Sequence, residues 1–227
     1  MKKALLVVAL FCCLPLSANA GIVTLDFSTG LEGFTLGSGS GKAISHSTTV
    51  GGGSLRMVTD GGDKQNTAIL DLDASSLWTE FLNATQFSGT LSYDVTVFAD
   101  DIVYRTADET PDWFQSHIIL HSDRPSAGDN WDANRQNMLA VGTSFTQTVT
   151  MNINSNGITA DDGDLNSIVS PNWAFLRLGT NNDGGALDGI ESMVTYFDNI
   201  TIVATPEPGS LALFGIALGL GFHRRRR

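Results

Sequence analysis

Between residues 21 and 205 no 12-residue window carries clear helical periodicity. Short runs of β-branched, aromatic and aliphatic residues occur instead at 22–27, 33–36, 54–58, 67–71, 89–98, 113–121, 145–153, 173–179 and 195–203. Clusters of Gly, Asn, Asp and Ser separate them, and these residues supply the backbone conformations that turns require. Only 75–83 reads as one or two helical turns. Nine strands in one domain predict an all-β, two-sheet sandwich. No linker longer than a loop divides the stretch, so 21–204 is expected to form a single unit with one core.

Charge narrows the range of partners. The whole chain carries −11, but residues 21–205 hold 23 acidic and seven basic side chains, a net of −16. Such a surface repels nucleic acid and anionic lipid and favours solubility and cation binding. Nucleic-acid binding is therefore excluded as a reading.

Both ends have a composition different from the body. Lys2 and Lys3 precede an apolar stretch from Ala4 to Leu16, and Ser17-Ala18-Asn19-Ala20 ends in an A-x-A site. That is the pattern of a secretory signal peptide over 1–20, cut after Ala20. Cys12 and Cys13 lie inside it, so the mature protein is expected to have no disulfide or thiolate chemistry. At the other end, Pro206-Glu207-Pro208 is followed by 14 residues without charge, from Gly209 to Phe222, then by His223 and Arg224, Arg225, Arg226 and Arg227. The prolines hold the chain extended. The apolar run is short for a stable span, which takes about 17–25 residues, and the arginines resist translocation.

This tail, 205–227, resembles the PEP-CTERM sorting signal of exported bacterial proteins. The resemblance implies a short transmembrane sorting helix and recognition by an exosortase, a membrane protease thought to cut near the Pro-Glu-Pro. It also implies transient inner-membrane anchoring, then delivery to the surface or matrix of a Gram-negative, exopolysaccharide-making bacterium, the setting of a biofilm.

The body resembles the carbohydrate-binding jelly rolls, or galactose-binding-like fold, in four segments taken in order. These are Leu25-Asp26-Phe27 with Leu31-Glu32-Gly33-Phe34, then Gly51-Gly52-Gly53-Ser54-Leu55-Arg56-Met57, Leu91-Ser92-Tyr93-Asp94-Val95 and Tyr196-Phe197-Asp198-Asn199-Ile200. The resemblance implies a polysaccharide ligand on a concave sheet face. It also implies a structural Ca²⁺ at the closing strand, held by Asp198 with Asp26 and Glu32 of the opening segment and carbonyls from Gly52 or Gly53. Parity supports the metal independently: if Ile200 and Ile202 point inward, Asp198 shares their side and needs a cation or several donors, with Arg56 or a turn as the alternative partner.

Alternation also sorts the central strands. Taking Leu91, Tyr93, Val95 and Val97 as inward puts Asp94 outside; taking Phe114, Ile118 and Leu120 as inward puts Trp113, Gln115 and His117 outside. Taking Ala174, Leu176 and Leu178 as inward puts Trp173, Phe175 and Arg177 outside, and Trp131 lies in a polar loop. Flat rings stack on the C–H face of a sugar and planar polar groups bind hydroxyl pairs, so Asp94, Trp113, Gln115, His117, Trp131, Phe175 and Arg177 form the expected sugar face. The same residues also suit a half-wet sheet with no ligand. No G-x-S-x-G elbow, H-E-x-x-H helix or nucleophile–base pair occurs, so the expectation is a protein without catalysis. A purely structural or adhesive surface protein and a secreted glycan hydrolase or lyase are the alternatives.

Overall fold

A computed structural model of the chain describes residues 21–37, 43–60, 65–104, 115–122, 131–133, 144–154, 157–159, 165–166, 172–181 and 190–205. The strands are β1 (Ile22–Leu25), β2 (Thr35–Leu36), β3 (Ile44–Ser47), β4 (Ser54–Asp60), β5 (Gln65–Asp71), β6 (Ser88–Val97), β7 (Ile102–Tyr104), β8 (Gln115–Ser122), β9 (Trp131–Ala133), β10 (Phe145–Asn154), β11 (Gly157–Thr159), β12 (Leu165–Asn166), β13 (Ala174–Asn181) and β14 (Ile190–Ala204). One helix, α1 (Trp78–Gln86), lies between β5 and β6. Among the described residues the strands form two antiparallel sheets. The larger runs β12-β11-β10-β6-β14-β4-β3, with β1 and β7 also paired to β14, and the smaller runs β2-β5-β13-β8-β9. This is the expected two-sheet jelly-roll sandwich.

The core follows strand alternation. Leu91, Tyr93 and Val95 of β6 and Phe197, Ile200 and Ile202 of β14 are buried, and they share one cluster with Ala174, Leu176 and Leu178 of β13. Each large side chain taken out of water contributes about 1.5–3 kcal/mol, so this inter-sheet layer is what holds the sandwich closed. Helix α1 covers one end: Phe81 and Ala84 are fully buried, and Trp78 stacks on Phe81 with ring centroids 5.9 Å apart.

The core also contains polar groups. Asn66, Thr180 and Ser116 lie in one row across β5, β13 and β8, all buried. Thr180 meets Thr59 of the other sheet, hydroxyl to hydroxyl, at 2.5 Å, and the Tyr93 and Ser116 hydroxyls are 3.1 Å apart. Polar residues are tolerated there because they bond across the gap between the sheets.

Strand β14 carries the architecture. Its 15 residues pair with β7 and then β6 on one side and with β4 and then β1 on the other. The strand remains hydrogen-bonded to its end: Ala204 N–H donates to the Gly21 carbonyl at 3.2 Å and Thr205 N–H to the Ser88 carbonyl at 2.8 Å. Folded structure therefore reaches the residue before Pro206. The segments 1–20 and 206–227, with Pro206, Glu207, Pro208 and the four arginines, lie outside the described residues.

Candidate functional site

The outer face of the smaller sheet is built on β13. Because Ala174, Leu176 and Leu178 are buried, alternation turns Phe175 and Arg177 to the other face, where both are half-buried. Trp173, just before the strand, is half-buried beside Phe175, with ring centroids 5.4 Å apart and planes inclined at 47°. Register fixes the neighbours. Phe175 stands between Asp71 of β5 and His121 of β8, Arg177 between Ile69 and Ile119, and Gly179 between Thr67 and His117. Gln115 pairs with Asn181 at the far end of the same row pattern. The guanidinium is set among apolar neighbours, and its Nε is buried without a hydrogen bond.

Two of the expected sugar residues, Asp94 and Trp131, take other places. Asp94 does not join this face: β6 belongs to the larger sheet, so Asp94 lies across the sandwich from Phe175 and Arg177. Parity gives the side of a strand but not the sheet it enters, and β6, β8 and β13 had been treated as one face. Trp131 belongs to a short strand and not a loop, and it pairs with Leu120, on the parity of buried Ile118; Asp132 takes the register position beside Ile119. Trp113 lies outside the described residues.

The second candidate site is at the middle of β14. The β6–β14 register breaks between Asp198 and Thr201, and Asn199 adopts φ 50°. Phe197, Ile200 and Ile202 all reach the core across this bulge. Asp198 therefore does not share the side of Ile200, as simple alternation predicts. It points to the outer face, opposite Asp94 in register, and it is only 3% exposed because other segments cover it. The cover is the β3–β4 turn. A Cβ on Gly51, itself at φ +61°, would fall 2.1 Å from Asp198 Oδ2 and 3.8 Å from the Gly53 carbonyl, so only glycine leaves this space open. Gly53 in turn is packed so tightly against the Phe27 carbonyl that a Cβ would come within 2.1 Å of it. Phe27, at φ 50°, has this carbonyl within 2.7 Å of His46 Nε2.

The electrostatics of this pocket are unbalanced. Burial pushes the Asp198 carboxyl above its ordinary range, the Asn199 N–H (2.7 Å) pulls it back, and the charges of Asp94 and Asp26 push it up again. Asp94 accepts hydrogen bonds from Thr148 at 2.6 Å and Asn199 at 2.9 Å. Asp26 is held below the usual carboxylate range by the backbone and side chain of Ser28. Arg56 does not relieve Asp198, since it is directed to the Tyr196 hydroxyl. Glu32 is bound within its own turn by Thr29, 3.3 Å away. The acids whose charges act on Asp198 are thus Asp94 and Asp26. Among the described residues no three carboxylate, imidazole or thiolate side chains lie close enough to hold a metal by themselves, so a cation here would also need backbone oxygens.

The family description that matches this chain is the PEP-CTERM protein-sorting motif, over residues 204–227. The tail is a sorting signal. It begins on Ala204 and Thr205, whose backbones bond to Gly21 and Ser88. No curated protein sequence matches the chain. Among solved structures, the body is similar to a family 11 carbohydrate-binding module from Clostridium thermocellum in complex with a β-1,3-1,4-mixed-linked tetrasaccharide. That likeness has 15% identity over 84% of this chain and 99% of the other, with a TM-score of 0.46. The family 11 module of the cellulosomal cellulase Lic26A-Cel5E of Clostridium thermocellum has 15% identity over 83% of this chain and 97% of its own, with a TM-score of 0.45. A CBM4 structure has 10% identity over 76% and 95%, with a TM-score of 0.38.

Proposed function

We propose that this is an exported surface or matrix protein whose sandwich binds polysaccharide without catalysis, on the outer face of the smaller sheet. The observation that carries the binding reading is the Trp173–Phe175 ring pair beside Arg177 on the central strand of that sheet. Two inclined rings offer stacking surface to sugar C–H faces, and the guanidinium offers a planar set of donors to oxygen pairs.

The test is retardation of the full-length chain in native gels containing different polysaccharides. Trp173→Ala and Phe175→Ala are each expected to weaken retention roughly 3- to 10-fold, the effect of losing about 0.5–1.5 kcal/mol of ring contact. No retardation on any polysaccharide would leave the structural or adhesive reading in its place, and release of reducing ends from a retained polymer would make the protein an enzyme.

The signal at 204–227 supports export, transient anchoring in the inner membrane and processing by an exosortase. Thr205 is still hydrogen-bonded to Ser88, so a cut that leaves β14 intact falls beyond it, within or after Pro206-Glu207-Pro208. Mass spectrometry of protein recovered from the native cell surface is expected to find Arg224 to Arg227 missing; their retention would refute processing.

A structural calcium ion is the third part of the reading. Asp198 with one of its acidic neighbours would supply carboxylate oxygens and Gly53 a carbonyl, and the space left open at Gly51 would admit the ion. Hard oxygen donors suit Ca²⁺, whose charge would offset the repulsion among the three acids.

A further inference from the structure

We infer that the glycan bound on the smaller sheet bears carboxylate groups, as in uronic-acid residues, and that Arg177 takes the carboxylate. This rests on the binding face proposed above and assigns the chemistry of its ligand.

The argument begins with what surrounds the guanidinium. Its two cross-strand neighbours are Ile69 and Ile119, and along β13 it lies between Phe175 and Gly179. None of these residue types has a hydrogen-bond acceptor in its side chain. Arg177 Nε is buried and unbonded, and no carboxylate among the described residues pairs with the side chain. The side chain as a whole is half-buried, and a cation partly shielded from water gains from an anion or several acceptors.

The nearest acids in register do not supply that anion. Asp71 stands one row away, opposite Phe175, and its carboxyl is engaged by Asp73, whose shared hydrogen bond raises it above the ordinary range. Asp132 is a strand further out, in the position beside Ile119.

Ligand chemistry follows from geometry and strength. Guanidinium and carboxylate are planar and match through two parallel N–H···O bonds, and a charged acceptor makes each bond roughly twice as strong as a neutral one. A sugar hydroxyl offers neither the charge nor the fork. The net negative charge of the body opposes a polyanion at long range, but at ~0.15 M salt that repulsion is screened beyond about 8 Å, whereas the contact pair is partly shielded from solvent.

Wild-type full-length protein, in mild detergent, is compared on polygalacturonate, on the same polymer methyl-esterified, and on a neutral β-glucan. Binding to polygalacturonate is expected to be at least tenfold tighter than to the ester. Arg177→Gln is expected to abolish that difference, with an unchanged circular dichroism spectrum. Equal or tighter binding to the ester or the glucan would overturn the inference and leave the glycan-binding face standing. Binding to none of the three would remove the ligand assignment; absence of retardation across the wider panel of polysaccharides would remove the face as well. The wild-type comparison decides the matter even if the variant does not fold.

Discussion

Phe27→Ala is expected to lower the thermal midpoint by about 6–20 °C. The ring is fully buried in the main core cluster and lies 5.8 Å from Phe34, centroid to centroid. Truncating a buried phenylalanine removes about 3–5 kcal/mol through lost transfer energy and the cavity left behind. In a unit of this size each kcal/mol moves the midpoint by about 2–4 °C. Such a loss is a large part of the roughly 5–15 kcal/mol that holds a domain folded. The backbone adds a second, opposed effect. Phe27 has φ 50°, a conformation that costs an L-residue roughly 1–2 kcal/mol and glycine nothing. Phe27→Gly, although it removes one more carbon, is therefore expected to be no less stable than Phe27→Ala. Urea and thermal unfolding of the two variants check both statements. A fall below about 3 °C for the alanine variant would mean that the ring is not part of the core.

How far these features could be read from the sequence depends on how local their causes are. The tail motif is contiguous in sequence, so its prolines, apolar run and arginines can be read without knowing any long-range pairing. Alternation correctly identified the buried sides of β6 and β13, since Leu91, Tyr93 and Val95 and then Ala174, Leu176 and Leu178 have period two. It could not assign sheets, because membership depends on where long connections return the chain. Asp94 and Arg177 were therefore expected on one face and lie on two. Strands of two to four residues, such as β3, β7, β9, β11 and β12, are too short to carry a pattern. The bulge at Asp198–Asn199 was missed for a related reason: a period of two contains no term for an inserted residue. The available clue was Asn199 itself, since asparagine tolerates positive φ better than most residues. Burial of Asp198 was anticipated, but its cause is the Gly51 turn folded over it and not a place among the isoleucines.

That origin of the burial makes the calcium proposal sharply testable. The fold holds Asp198 at 3% exposure with the charges of Asp94 and Asp26 acting on it, an arrangement that by itself opposes ionisation and hence folding at neutral pH. Calcium that binds only the folded state stabilises it by about 2.7 kcal/mol at 100 times its dissociation constant. This corresponds to a rise of roughly 5–11 °C in the melting midpoint, reversed by EDTA. Asp198→Asn separates this effect from general salt screening. The amide fits the same volume and removes the buried charge, so the calcium-free variant is expected to melt at or above the calcium-free wild type. It is also expected to lose most of the response to calcium, because the ion would no longer find its central carboxylate. Magnesium is expected to substitute poorly, since it requires a smaller, near-octahedral shell and gives up water reluctantly. A wild-type midpoint that calcium and EDTA leave unchanged would remove the ion. The raised Asp198 carboxyl would then be stored strain in the bulge, offset by the Phe27 and Phe197 side chains buried on either side of it.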